Sequence, residues 1–102
     1  MNQKTWTDIL GLCDEMEGLL RDAVPATDNY RLQRIRFLTA HMGGHDSSIT
    51  DKANRLASKA EIYLSARRHQ NHPGGADGVM SEMRYSLLGS IREQAQRYLR
   101  QT

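Results

Sequence analysis

Hydrophobic residues recur every three or four positions in four segments of the chain, separated by stretches rich in Gly, Pro, Ser and Asp. This spacing places the apolar side chains on one face of an α-helix. Strand-like alternation bounded by turn residues is missing from the sequence. The pattern therefore predicts an all-α protein of about four helices, contained in a single domain over residues 1–102.

Helix boundaries are indicated by capping residues at the start and by Gly or Pro at the end. The predicted starts are Thr5 or Thr7 for the first helix, Thr27 or Asp28 for the second, and Ser47 or Ser48 for the third, with Ser81 just inside the fourth. The predicted ends are Ala23 before Pro25, Gly43–Gly44, and a position near Arg68, and the fourth helix continues to the C-terminus. The segment 69–78, which contains Pro and several Gly, is predicted to be a loop.

Three of the predicted helices have a single apolar face. These faces comprise Trp6, Ile9, Leu10, Cys13, Met16, Leu20 and Val24, flanked by Leu12 and Leu19, in the first helix; Ile49, Ala53, Leu56, Ala57, Ala60, Tyr63 and Leu64 in the third; and Met80, Met83, Leu87, Leu88, Ile91, Ala95, Tyr98 and Leu99 in the fourth. Arg84 also falls within the apolar face of the fourth helix. A guanidinium buried there needs a carboxylate partner.

The second helix is apolar on two sides. One side carries Leu32, Ile35, Leu38 and Met42, and the other carries Tyr30, Phe37 and His41 with Arg34 among them. A helix with two apolar sides is either central in the fold or packs against another chain. Because aromatic residues and Arg are enriched at protein interfaces, we predict an interface formed by Tyr30, Arg34, Phe37 and His41.

Short connections between consecutive helices favour antiparallel neighbours. We therefore expect an up-down four-helix bundle, with a helical-hairpin dimer as the alternative. The mean hydropathy of −0.68 indicates a core with few large apolar side chains. We expect a second copy or another protein to complete this core. A net charge of only +2 argues against disorder as the cause of this polar composition.

Basic residues raise the alternative that the chain is a nucleic-acid-associated or regulatory helical protein. Phosphate binding requires several cations that converge on one surface. Arg31, Arg34 and Arg36 point in different directions around the second helix, and Arg67 and Arg68 are typical of a helix C-terminus. We therefore expect only weak association with nucleic acid.

The four histidines form two pairs, His41 with His45 and His69 with His72, and each pair has an Asp nearby. Imidazole and carboxylate groups at such spacings are the ligands of zinc or iron sites. In an up-down bundle the two pairs lie at opposite ends of the third helix, roughly 30 Å apart at 1.5 Å per residue. We therefore predict exposed loop histidines and no bound metal or other cofactor.

The segment 40–48 (AHMGGHDSS), followed by a helical stretch, resembles histidine phosphotransfer domains, which are also small four-helix bundles. The likeness consists of a His, a nearby Gly, a Ser pair and the helical layout. In that family a Lys and a Gly follow the phosphorylated His at the third and fourth positions, where this chain has Gly44 and His45. A histidine-based phosphotransfer or metal site is therefore the third hypothesis.

Catalytic patterns are missing from the sequence. Cys13, the only cysteine, falls on an apolar helix face, where it is expected to act as a small buried hydrophobe. The sequence contains neither a secretory signal nor an apolar stretch of membrane-spanning length, so we expect a cytoplasmic protein that does not bind membranes. The leading hypothesis is a non-enzymatic interaction or adaptor module that associates with itself or with another protein.

Overall fold

A computed structural model describes residues 3–101 of the chain. Three helices come first: α1 (Gln3–Arg21), α2 (Asn29–Met42) and α3 (Ser47–Tyr63). After a 3₁₀ turn (Arg68–Asn71), the chain forms α4 (Gly75–Ser81), a π-helical segment (Glu82–Leu88) and α5 (Gly89–Gln101), which follow each other without a break. Residues 75–101 thus form a single continuous helix, which is the fourth helix of the bundle. The described region contains four helices and no strands, which confirms the predicted all-α bundle.

Cross-helix contacts define the order of the bundle. In each neighbouring pair, residues near the start of one helix contact residues near the end of the other. The contacts are Glu15 with Arg34, Arg36 with Glu61, Lys59 with Glu82, Glu17 with Arg84, Asp14 with Arg92, and Trp6 with Tyr98. Each helix therefore runs antiparallel to both of its neighbours, and the bundle has the up-down topology expected from the short connections.

The ends of α2 agree with the sequence prediction, but those of α1 and α3 do not. Asp28 caps α2, with its carboxylate accepting a hydrogen bond from the Arg31 amide, and Gly43 terminates it. The first helix already includes Gln3, so Thr5 and Thr7 lie within it and do not mark its start. In α3 the cap is Asp46, not Ser47 or Ser48, because the Asp46 carboxylate accepts a hydrogen bond from the Ile49 amide.

The third helix ends at Tyr63, five residues before the predicted end near Arg68. The Ser65 hydroxyl donates to the Ile62 carbonyl and accepts a hydrogen bond from the Arg68 amide. Serine side chains that bond to the local backbone in this way compete with helix continuation. The chain consequently leaves α3 early and enters the 3₁₀ turn.

The connection between the third and fourth helices is shorter than the predicted loop at 69–78, because the fourth helix already begins at Gly75. Gly74 and Gly75 have φ angles of 82° and 65°, and these left-handed conformations turn the chain sharply into the helix. Pro73 then folds back over Gly78, whose missing side chain makes room for the Pro73 carbonyl. Glycine within this helix is therefore required by close packing and does not mark a loop.

The core consists of the predicted apolar faces with a few changes. Buried in it are Trp6, Ile9, Cys13, Met16, Leu20, Leu32, Ile35, Leu38, Met42, Ile49, Ala53, Leu56, Ala60, Tyr63, Leu64, Val79, Met83, Leu87, Leu88, Ile91 and Ala95. Val79 was not predicted, because it lies between the predicted loop at 69–78 and Met80, the first residue of the predicted apolar face. Val24 lies beyond the end of α1 and is 65% exposed, so its assignment to the core face was wrong. Arg84 has its carboxylate partner in Glu17, at 2.7 Å.

Three helices meet where the Tyr98 ring stacks on the Trp6 ring, with 4.5 Å between centroids. The Tyr98 hydroxyl donates a hydrogen bond of 2.6 Å to Asp46, the residue that caps α3. Burial alone would raise the pKa of Asp46, but hydrogen bonds from the Tyr98 hydroxyl and from backbone amides at the start of α3 lower it below its usual range. Side-chain contacts thus join α1, α3 and the fourth helix at one end of the bundle.

Candidate interaction surface

The outer face of α2, formed by Tyr30, Arg34, Phe37 and His41, is exposed. The side chain of Tyr30 is 87% exposed and that of Phe37 is 46% exposed. The opposite side of the helix, which carries Leu32, Ile35, Leu38 and Met42, is buried. The helix is therefore peripheral, and the alternative in which Tyr30 and Phe37 complete the core of the monomer is wrong.

The Phe37 ring lies between two other members of the outer face of α2. The Arg34 guanidinium carbon is 4.7 Å from the ring centroid, and the His41 ring centroid is 4.1 Å away with the planes inclined by 35°. His41 also donates from Nδ1 to the Phe37 carbonyl, at 2.9 Å. A carbonyl can only accept, so this contact places the proton on Nδ1. The three side chains thus form one ordered cluster on the surface.

Glu15 of α1 holds the Arg34 guanidinium in place. Its two carboxylate oxygens accept from Nε and Nη2 of Arg34, the latter at 2.9 Å. This bidentate pair lowers the pKa of Glu15 and raises that of Arg34, chiefly through the side-chain hydrogen bonds. Both side chains are about two-fifths exposed, so the pair contributes little to stability. Its main effect is to orient Arg34 beside Phe37.

A groove of about 540 Å³ lies beside the outer face of α2, between the first half of α1 and the end of α2. Leu12 and the edge of Ile9 contribute apolar surface, while Asp8 and Glu15 supply carboxylates. The α2 side of the groove carries His41. The exposed aromatic cluster and the groove are therefore one continuous surface.

A further exposed aromatic side chain, Tyr85, lies outside the outer face of α2 and was not identified from the sequence. It is 70% exposed on the π-helical segment, with the Arg84 guanidinium carbon 5.4 Å from its ring centroid. Arg84 in turn pairs with Glu17. The helical wheel could have revealed Tyr85, since it falls outside the apolar face of the fourth helix.

The two histidine pairs lie in different environments. His41 and His45 flank the α1–α2 groove and are exposed. His69 is buried, contrary to the prediction of exposed loop histidines, because its ring packs against Tyr63 and its Nε2 donates to the Pro25 carbonyl, at 3.1 Å. His72 lies 3.2 Å from the Lys59 ammonium and 3.3 Å from the Glu82 carboxylate. Within residues 3–101, no group of three or more His, Cys, Asp or Glu is arranged to hold a metal ion.

The environment of Cys13 is that of a structural residue. Its side chain is fully buried, and burial raises the pKa of the thiol to about 11. The thiol therefore stays protonated at neutral pH, whereas a nucleophilic cysteine requires the thiolate. This environment agrees with the role of a small buried hydrophobe.

Surface arginines are mostly paired with carboxylates. Over the described part of the chain, the arginines within 4.0 Å of an Asp or Glu oxygen are Arg31, Arg34, Arg36, Arg55, Arg68, Arg84, Arg92 and Arg97. They are distributed over α2, α3, the fourth helix and the turn before the fourth helix. The positive charge is therefore divided among local ion pairs and does not converge on one surface.

Two features of the described helices bear on the expectations from the sequence. Among the helices described within residues 3–101, none combines the length and the apolar composition that crossing a membrane requires. The histidine phosphotransfer resemblance is limited by Gly43, which ends α2 directly after Met42, so that His41 lies in the last turn of its helix.

No protein-family model, curated protein or solved structure matches this chain.

Proposed function

We propose that this chain is a non-enzymatic interaction module that binds a protein partner through the outer face of α2. The observation that carries the proposal is the exposed cluster of Arg34, Phe37 and His41, which extends along the helix to Tyr30. Within residues 3–101 these side chains remain exposed, although they occupy a helix whose other side is buried.

The composition and order of the cluster both favour binding. Tyr, Phe and Arg are enriched at protein interfaces, where a few such residues account for most of the binding energy. Immobilising a flexible side chain on binding costs about 0.5–1.5 kcal/mol. Glu15 and His41 already hold Arg34 and Phe37 in a fixed arrangement, so part of this cost is met in the free protein.

The distribution of charge favours a protein partner over nucleic acid. A phosphate contact would have to displace carboxylates from most of the arginines, since these already form ion pairs. Nucleic-acid recognition depends on cations that converge and are free to release counterions. The nucleic-acid-associated alternative therefore receives less support from the charges than a protein-interaction role does.

The test compares partner recovery by three tagged forms of the full chain, each co-expressed with a second copy carrying a different tag. The forms are the wild type, the double variant Tyr30→Glu/Phe37→Glu, and the control Tyr85→Glu. Tyr85 is a matched control because it is an exposed aromatic residue on another helix. Circular dichroism should show unchanged helix content in all three, since the altered residues lie outside the core.

We expect the wild type and Tyr85→Glu to recover the same partner, whether this is another protein or the second copy. The amount of partner recovered with the double variant should fall by at least nine-tenths. The double variant removes both exposed rings, which are expected to supply most of the binding energy, and its two introduced carboxylates must be desolvated on binding. Equal recovery by the double variant, with its helix content intact, would contradict the proposal.

A further inference from the structure

We infer that the partner of the outer face of α2 is a second copy of this chain, bound so that the two α2 helices run antiparallel across a two-fold axis between Arg34 and Phe37. This inference rests on the proposed function and specifies its partner. Its evidence is the spacing, symmetry and charge of the exposed residues.

The spacing of the outer face of α2 is that of a helix-pairing seam. Successive members, from Tyr30 through Arg34 and Phe37 to His41, are separated by four, three and four positions. This alternation has an average period of 3.5 residues, the repeat with which one helix packs its side chains between those of another. A face that only meets solvent has no need for such a repeat.

The order of residue types along the seam is self-complementary. In a two-fold interface every contact occurs twice: if one residue contacts a second residue of the other copy, that second residue makes the same contact in return. An antiparallel pair centred between Arg34 and Phe37 places Arg34 against the partner's Phe37, and Tyr30 against the partner's His41. The first pairing repeats between chains the cation–π contact that Arg34 and Phe37 make within one chain. The second pairing places the Tyr30 ring against the imidazole ring of the partner's His41.

Charge distinguishes this arrangement from a parallel one. Parallel helices would align Arg34 with the partner's Arg34, which places like charges opposite each other. In the antiparallel pair each guanidinium lies opposite the partner's Phe37 instead, and the charge that remains near the axis is reduced because Arg34 is paired with Glu15 of its own chain. Ala40, an exposed small residue beside the seam, allows the two helices to approach closely.

The length of the seam sets the expected affinity. Eleven residue steps at 1.5 Å extend over roughly 16 Å, or about three helical turns. Such a surface falls below the roughly 1,200–2,000 Å² buried in standard stable interfaces, even with contributions from the α1 side of the groove. We therefore expect a dissociation constant on the order of micromolar to hundreds of micromolar, corresponding to a weak, reversible dimer.

The first measurement is sedimentation equilibrium of the wild-type chain from about 1 µM to about 1 mM, the range over which such a dimer dissociates. We expect the average mass to rise from that of the 11.6 kDa monomer towards twice that value. A monomer mass throughout would overturn the inference. Partner recovery in the wild type but not in Tyr30→Glu/Phe37→Glu would then show that the proposed function holds with a different protein.

The second measurement uses disulfide trapping to determine the direction of pairing. The antiparallel seam places residue 30 opposite residue 41 of the other copy, whereas the two copies of residue 30 lie roughly 16 Å apart. Disulfides require Cα atoms within about 7 Å. A mixture of Tyr30→Cys and His41→Cys chains should therefore form a cross-linked dimer at least tenfold faster than either variant alone.

Two controls accompany the trapping experiment. Wild-type protein reports any reaction of Cys13, which is buried, and a mixture of Tyr85→Cys with His41→Cys reports random collision. Cross-linking of Tyr30→Cys chains to each other would indicate parallel helices and overturn the inferred arrangement. A mixture that reacts no faster than the collision control would overturn it as well.

Discussion

At the scale of single residues, Asp46 has more structural roles than its sequence suggests. Its carboxylate caps α3 through the Ile49 amide and accepts the Tyr98 hydroxyl, while its carbonyl accepts from the Thr50 side chain. Sequence reasoning assigned the cap to the adjacent serines because capping preferences for Asp and Ser are similar. Only the position of Tyr98, supplied by the far end of the chain, distinguishes Asp46 from its neighbours.

Removal of the Tyr98 hydroxyl should therefore destabilise the protein. For Tyr98→Phe we expect a loss of about 1–3 kcal/mol in the free energy of unfolding at pH 7, because a hydrogen bond to a charged carboxylate is lost while the ring stack on Trp6 remains. Urea denaturation measures this difference. Tyr85→Phe, altered at an exposed ring, serves as the control and should change the free energy by no more than about 0.5 kcal/mol.

The same substitution has a defined pH dependence. The pKa of Asp46 is lower in the folded state than in the unfolded chain, so its stabilising contribution is complete above the unfolded value of about 4 and disappears as the pH falls through the folded value. The difference in unfolding free energy between the wild type and Tyr98→Phe should therefore narrow in acid. A difference that stays constant from neutral pH down to the acid-unfolding region would show that the hydroxyl stabilises the fold by another route.

At the scale of elements, local pattern predicted the existence of the helices better than their limits. Apolar spacing is a property of each segment and correctly identified the buried side of α2. The start of the fourth helix depends on the contact of Pro73 with Gly78, and residue preferences for glycine give no indication of such a contact. A carboxylate near Arg84 was predictable from burial, but its identity as Glu17 follows from how α1 pairs with the fourth helix.

The close packing at Gly78 leads to a prediction with a matched control in the same protein. Replacing Gly by Ala in a helix normally stabilises it by up to about 1 kcal/mol. At Gly78, however, an added Cβ would overlap with the Pro73 carbonyl, so Gly78→Ala should lower the free energy of unfolding by about 1–3 kcal/mol. At Gly18 in α1 the added Cβ meets nothing within 4 Å. Gly18→Ala should therefore be neutral or stabilising.

Thermal unfolding followed by circular dichroism distinguishes the two glycine substitutions. The expected result is a lower melting temperature for Gly78→Ala and an equal or higher one for Gly18→Ala. A stabilising effect at both sites would mean that the turn at 72–75 moves away from Gly78 at little cost. The turn would then not determine where the fourth helix begins.

At the scale of the whole molecule, the distribution of charge governs which partners the bundle can attract. The net charge is only +2, and most arginines lie beside carboxylates on the same or a neighbouring helix. An overall positive field of this size steers polyanions weakly. This balance could be read only in part from the sequence, because several of the ion pairs join residues far apart along the chain.

We therefore expect nucleic-acid binding to be weak, non-specific and sensitive to salt. Fluorescence anisotropy with a labelled duplex and a labelled single strand, repeated at about 50 and 200 mM salt, measures both affinity and counterion release. Binding should be detectable at low salt only. Tight, sequence-selective binding that persists at the higher salt concentration would instead support the nucleic-acid-associated alternative.

The stack of Trp6 on Tyr98 makes the bundle a closed ring of helices. The contact joins the beginning of α1 to the end of the fourth helix, so forming it closes a loop that includes nearly the whole described chain. Closing this loop costs chain entropy, and the contacts made when the first and last helices dock offset that cost. Trp6 is also the only tryptophan, and it is buried in this contact. Its fluorescence should therefore report when the ring closes during folding, separately from the formation of the individual helices.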